Sequence, residues 1–149
     1  MSFADAGSLE AFGEALAQCV GAGDMIALSG GLGAGKTTLA RGILRGLGYA
    51  GEAPSPTFAI LQGYEPPELR LPVAHVDLYR IDFPEEVEEL GLSDWLSDGA
   101  VLVEWPEHGG TALTAFALHL SLTPEPTGGR GLTARVPDAW EQRWQQLPI

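Results

Sequence analysis

A short apolar run, Met25–Ser29, leads straight into Gly30-Gly31-Leu32-Gly33-Ala34-Gly35-Lys36-Thr37, and an amphipathic helical pattern starts at once. No other segment restricts the fold so tightly. Gly30, Gly33 and Gly35 lack a Cβ, so the chain can curl with its N–H groups facing inward as an anion nest. The helix that follows adds the positive end of its dipole. Lys36 is the sole lysine among the 8 basic residues of the chain. An ordinary glycine-rich turn before a helix is the plain alternative. The strand before it, the spacing and the placement of that one lysine argue for a phosphate cradle.

Read as a P-loop, the segment predicts a role for each residue. The amides of Gly30, Gly31, Leu32, Gly33, Ala34 and Gly35 surround the phosphates of a nucleotide. Lys36 supplies a mobile positive charge to the β- and γ-phosphates. The Thr37 hydroxyl is placed to ligate Mg²⁺, and Thr38 adds a hydroxyl near the α-phosphate. The expected ligands are ATP and Mg²⁺.

Composition bounds the rest. A chain of 149 residues has the size of one domain, and a hydrophobic fraction of 45% supports a real core. The formal net charge is −12, with 20 acidic residues against 8 basic ones. That balance leaves little from which to build a basic face, and direct nucleic-acid binding is not expected. Solubility, or docking to a basic partner, accounts for it better. Cys19 is the single cysteine, so no internal disulfide is possible; it falls in an apolar helical pattern, and a reducing cytoplasmic setting fits. The first residues carry no basic and apolar leader pattern, and no stretch of 18 apolar residues spans a membrane.

The pattern along the chain alternates helix and strand. Ser8 is the expected cap of a first helix with Leu9, Phe12, Leu16 and Val20 on its apolar face. Met25–Ser29 reads as a buried strand, and the helix after the glycine loop runs from Lys36 to Gly48. Two prolines stiffen residues 53–57. Residues 58–62, 71–77 and 100–105 read as strands, with a Pro84-led acidic helix and a short helix at 92–96 between the last two. Residues 116–122 and 131–136 form a hairpin, and Trp140, Trp144 and Leu147 mark a last short helix. The expected fold is α/β: a single P-loop NTPase domain over residues 1–149, with a mostly parallel central sheet flanked by helices and an antiparallel hairpin near the C-terminus.

A P-loop site also needs an acid at the end of a neighbouring strand. Asp77 follows Val73-Ala74-His75-Val76 and Glu104 follows Val101-Leu102-Val103. Either can hold Mg²⁺ or orient an attacking water, and for one of the two, though not both, merely capping a strand end is the plain alternative. With Lys36 they are the candidate catalytic groups. Thr57 stands where switch loops sense a γ-phosphate, with a plain structural turn as the equal alternative. Trp105 could stack on adenine, though a core tryptophan is the commoner outcome. His75 reads as a packed histidine among apolar neighbours. Arg41, Arg45 and Arg80 could each neutralise phosphate charge, but on helix surfaces and strand ends they read as solvated arginines.

Four blocks taken together resemble the TsaE (YjeE) family, ATPases of bacterial tRNA threonylcarbamoyladenosine (t6A) biosynthesis. They are Leu32-Gly33-Ala34-Gly35-Lys36-Thr37-Thr38 with Arg41-Gly42, then Ser55-Pro56-Thr57-Phe58, then His75-Val76-Asp77-Leu78-Tyr79-Arg80, and Val103-Glu104-Trp105-Pro106-Glu107. The resemblance implies Thr37 and Glu104 as Mg²⁺ ligands, a nucleotide or catalytic role for Asp77 and nucleotide contact by Trp105. It also implies ATP hydrolysis that is weak in isolation, and TsaD and TsaB as partners whose complex this chain resets. Gly31 departs from the family, which usually carries an acid there. The C-terminal tail matches less well, and Arg130 could correspond to a family arginine.

Two other classes share the motif. A small-molecule kinase needs an acceptor pocket and an arginine-bearing lid, for which 8 basic residues give little material. A non-hydrolysing assembly module would bind ATP without releasing phosphate. No Asn-Lys-x-Asp segment points to guanine.

Overall fold

The computed structural model describes residues 1–54 and 60–148. Its centre is one seven-stranded sheet in the order β1-β7-β6-β2-β5-β4-β3. The strands are β1 (Ser2–Phe3), β2 (Met25–Ser29), β3 (Leu61–Tyr64), β4 (Val73–Asp77), β5 (Ala100–Glu104), β6 (Leu118–Pro124) and β7 (Arg130–Arg135). β6, β2, β5 and β4 run parallel, while β3, β7 and β1 pair antiparallel at the two flanks. Among the described residues four α-helices accompany them: α1 (Ala6–Ala17), α2 (Lys36–Gly46), α3 (Leu92–Asp98) and α4 (Glu141–Gln145). Every residue of β4 and β5 is buried, as expected of parallel strands covered on both faces. The α/β fold with a mostly parallel core and a C-terminal hairpin is therefore present.

α1 and α2 pack closely on one face of the sheet. Leu9, Phe12 and Leu16 of α1 and Leu39, Ile43 and Leu44 of α2 share one hydrophobic cluster with Ile26, Leu102 and Leu120 of the sheet. Glycines set the approach. A Cβ on Gly13 would lie 2.8 Å from the Leu39 carbonyl oxygen and 2.9 Å from the Ile43 nitrogen. A second cluster on the opposite face joins Val76, Leu78 and Val103 to Val87 and Leu92. The sheet is thus held from both sides, and the carboxyl ends of β2, β4 and β5 reach the same edge.

Several local expectations shift. The cap of α1 is Asp5, not Ser8: Ser8 N donates to Asp5 Oδ1 at 2.8 Å, and Ser8 returns the bond as the N3 member of a capping box. The strand expected at 58–62 is Leu61–Tyr64 instead, with residues 58 and 59 outside the described part. Strand 71–77 begins only at Val73, after Pro72. Pro84 does open a helix, but a 3-10 one, Pro84–Leu90. α2 stops at Gly46, and Gly48 sits beyond it at φ +116°. Cys19 is half-buried against the core rather than fully inside it. Among the described residues no helix is long and apolar enough to cross a membrane.

Candidate functional site

Between β2 and α2 the chain turns through three glycines in conformations that other residues rarely adopt: Gly30 (φ +148°), Gly33 (φ +75°) and Gly35 (φ +109°). Two of them are also close-packed. A Cβ on Gly30 would meet the Leu122 carbonyl oxygen at 2.7 Å, and one on Gly35 would meet Leu9 Cδ2 at 2.8 Å. The first α2 bond runs from Leu39 N to the Gly35 carbonyl at 2.9 Å, and no side chain caps the helix start. The amides of Lys36, Thr37 and Thr38 precede that bond, which is the arrangement an anion satisfies.

The Lys36 side chain folds back over this loop. Its Nζ donates to the carbonyls of Gly30 (2.6 Å) and Gly31 (2.8 Å) and lies 4.3 Å from the Trp105 ring centroid. Burial pushes its pKa below the ordinary lysine value, while Glu104, Asp77 and Glu107 act in the opposite sense. The ammonium is poised among carbonyls and a π face, a setting that a phosphate group can outcompete.

On the other side of the loop stand the two acids. Asp77 ends β4, Glu104 ends β5, and the two are register partners. They are 7% and 2% exposed. Thr37 Oγ1 donates to Glu104 at 3.1 Å and 3.3 Å from its two carboxylate oxygens. His75 Nε2 touches Glu104 Oε2 at 2.6 Å. Asp77 Oδ1 accepts the Tyr79 amide at 2.9 Å. Burial raises the Asp77 pKa, the Tyr79 amide opposes it, and Glu104 adds to it. Loop, lysine and acids line one cavity of about 350 Å³, together with Tyr79 and Trp105. Two larger clefts, about 690 and 480 Å³, lie elsewhere and join no glycine loop to buried acids.

The donor set suits a hard cation. Thr37 hydroxyl and Glu104 carboxylate are adjacent oxygen donors, with a second buried carboxylate beside them. No group of three or more His, Cys, Asp or Glu side chains among the described residues forms a cage of its own. Mg²⁺ is commonly held this way, by one or two protein oxygens plus phosphates and waters.

A family model described as "Threonylcarbamoyl adenosine biosynthesis protein TsaE" matches residues 3–132. The chain belongs to the TsaE family. The family acts in t6A biosynthesis, a tRNA modification. The chain is similar to the TsaE protein of Streptomyces coelicolor, with 44% identity over 111 residues, covering 74% of this chain and 75% of that one. It is also 44% identical over 86 residues to TsaE of Haemophilus influenzae, covering 57% of this chain and 53% of that one. Its fold resembles the crystal structure of Bacillus subtilis YdiB (TM-score 0.82, 27% identity), over 98% of this chain and 90% of that one.

In this TsaE chain the residues singled out from the sequence mostly converge. Lys36, Thr37, Thr38, Asp77, Glu104 and Trp105 share the cavity with Leu32, Gly33, Ala34 and Gly35, and Gly30 and Gly31 supply the carbonyls that hold Lys36. Thr57 lies outside the described residues. Trp105 is not a core tryptophan: it is half-buried, at φ +58°, with its ring over Lys36. Arg41 and Arg45 are exposed, as expected of solvated arginines, and each also has a partner: Arg41 Nε donates to the Ala53 carbonyl at 2.7 Å, and Arg45 pairs with Glu10 and Glu14.

His75 was expected to be merely packed. It is fully buried, yet it contacts Glu104. A histidine two residues before Asp77 on the same strand necessarily points to the same face, which was the available signal. Arg130 reaches the loop as well, donating from Nη2 to the Gly33 carbonyl at 3.0 Å. A further chain of polar contacts was not foreseen. Arg135 Nη2 lies 3.1 Å from His119 Nδ1, His119 Nε2 lies 2.6 Å from Ser29 Oγ, and Ser29 Oγ lies 3.3 Å from Glu107. It braces the residue just before the glycine loop.

Proposed function

We propose that the chain binds Mg–ATP, hydrolyses it slowly, and uses that cycle to reset the TsaD–TsaB complex during t6A modification of tRNA. The single observation that supports this most is the meeting of the Thr37 hydroxyl and the Glu104 carboxylate, 3.1 Å apart, at the open start of α2. The triphosphate occupies the glycine loop, with the amides of residues 30–37 as donors. Lys36 leaves the Gly30 and Gly31 carbonyls for the β- and γ-phosphates. Thr37 and Glu104 hold Mg²⁺, which would supply charge neutralisation on the phosphates and alignment of the leaving group. Asp77, buried beside Glu104, orients the attacking water and takes its proton; its raised pKa makes it a better base than an ordinary aspartate.

A second cleft, about 130 Å³, opens beside Thr38 between Asp5, Leu9, Gly129 and Arg130. Thr38 belongs to the α-phosphate end, so the nucleoside lies on this side. Trp105 stands over Lys36 and so attends the terminal phosphates rather than adenine. Thr57, placed by sequence on the switch-like loop, senses the γ-phosphate. A kinase reading is less well supported: Arg41, Arg70 and Arg143 are tied to backbone carbonyls and Asp24 instead of forming a lid. The acidic charge suits an assembly in which TsaD and TsaB contact the tRNA. One cysteine fits work in the cytoplasm.

The deciding experiment is calorimetric titration with ATP and Mg²⁺. Lys36→Ala removes a charged donor and should weaken binding by roughly 10- to 100-fold. Unchanged affinity refutes the site. For the assembly role, immobilised protein with ATP should retain purified TsaD–TsaB and release phosphate faster in its presence. Retention without any phosphate release would favour the non-hydrolysing module.

A further inference from the structure

His75 sits in the middle of β4 between Gln62 of β3 and Leu102 of β5, with no exposure to solvent. Its Nε2 is 2.6 Å from Glu104 Oε2. Its Nδ1 is buried and has no hydrogen-bond partner among the described residues. An aliphatic side chain would fill this position at no polar cost, whereas a buried unpaired ring nitrogen is unfavourable. The neighbours on the strand, Ala74 and Val76, are apolar and fully buried. Packing therefore gives no reason for a histidine here, and among the described residues its polar contact is with Glu104.

We propose that His75 is a positioning residue that fixes the Glu104 carboxylate for metal binding. This rests on the reading of Glu104 as a Mg²⁺ ligand. An ionised carboxylate only accepts hydrogen bonds, so the contact requires the proton on Nε2. Glu104 then accepts from two residues, His75 through Oε2 and Thr37 through both oxygens. Thr37 and Glu104 would offer their oxygens to a cation, while His75 holds the carboxylate through Oε2. The carboxylate therefore meets the cation already oriented, which is how outer partners strengthen metal ligands. The unpaired Nδ1 is the cost of placing that donor inside the sheet.

Two measurements test this. The first needs no metal. The chain has 3 histidines, so long-range ¹H–¹⁵N spectra resolve each ring. His75 should carry a proton on Nε2 in the wild-type protein in EDTA; a bare Nε2 overturns the proposal. The second is the Mg²⁺ concentration that half-saturates ATP binding. His75→Leu and His75→Asn should raise it about tenfold or more, with ATP affinity in EDTA unchanged. His75→Gln, whose amide reaches the Nε2 position, should stay close to wild type. In a Glu104→Ala background the His75 substitutions should add nothing. If His75→Leu does not fold, the Asn and Gln pair decides. Gln as impaired as Asn, wild-type Mg²⁺ dependence in Asn, or an undiminished effect without Glu104 refutes the role. A wild-type protein indifferent to Mg²⁺ refutes the metal reading itself, and the tautomer spectrum still decides the hydrogen bond.

Discussion

The Lys36 ammonium lies 4.3 Å from the centre of the Trp105 ring while donating to the Gly30 and Gly31 carbonyls. A phosphate that draws Lys36 away removes a cation from an indole face, and tryptophan emission responds to such a change. Binding of Mg–ATP should therefore alter the fluorescence of the wild type. Trp105→Phe should lose that change while Trp95, Trp140 and Trp144 still emit. A change that survives in Trp105→Phe would mean that Lys36 does not leave the ring.

Asp77 gives a prediction about stability and pH. Its folded pKa is raised above the ordinary 3.8, first by burial. In strong acid both folded and unfolded chains carry the proton, and Asp77 costs nothing. As pH rises through the carboxylate range the unfolded chain ionises first, so the penalty on folding grows until Asp77 itself ionises and stays at its full size above that pH. Asp77→Asn keeps the shape and removes the charge. It should melt higher than wild type near neutral pH, with the gap closing as pH falls towards 3.8. Hydrolysis in the same variant should drop by about 10²- to 10⁴-fold. Equal melting temperatures at pH 7 would show that the carboxyl is not penalised by its surroundings.

Gly13 tests the helix approach. An added Cβ would press on the Leu39 oxygen and Ile43 nitrogen, both backbone atoms that cannot move aside. Overpacking of this kind costs about 1–3 kcal/mol, against a gain of roughly 0.5–1 kcal/mol from replacing a helical glycine. Gly13→Ala should lower the denaturation midpoint with an unchanged m-value. A stabilised variant would show that α1 and α2 can separate without loss.

Arg130 is tied to the glycine loop through the Gly33 carbonyl, while its other guanidinium nitrogen donates to Gly129 in its own hairpin turn. Removing a charged donor from the loop tip should loosen the cradle. Arg130→Ala should weaken ATP binding by about tenfold, equivalent to a single charged hydrogen bond, with little change in melting temperature. Unaltered titration curves would confine Arg130 to the hairpin.

The sequence revealed what depends on periodicity and on backbone freedom. Met25–Ser29, the start of α2 at Lys36 and the hairpin strands follow from apolar runs, glycines and alternation, all of which are local. The two acids were legible because each ends an apolar strand. Contacts across the sheet were not. Spacing puts His75 on the same face of its strand as Asp77, but nothing in it says that β4 and β5 are neighbours, so the partner Glu104 could not be read from the sequence. The Arg130–Gly33 bond joins positions 97 apart. β1 is two residues long and exists only because β7 offers an edge. Asp5 outcompeted Ser8 as a cap because both side chains can serve and only the direction of the incoming chain decides between them.

Thr37 and Glu104 stand 67 positions apart in the chain, and β2, which leads to one, pairs directly with β5, which carries the other. Neither half of the chain can assemble this contact alone. A partly unravelled molecule that had lost the β2–β5 seam would have no grip on a ligand. Occupancy therefore protects the whole centre of the sheet, and proteases and heat should find the liganded protein harder to attack along its entire length, not only near the glycine loop.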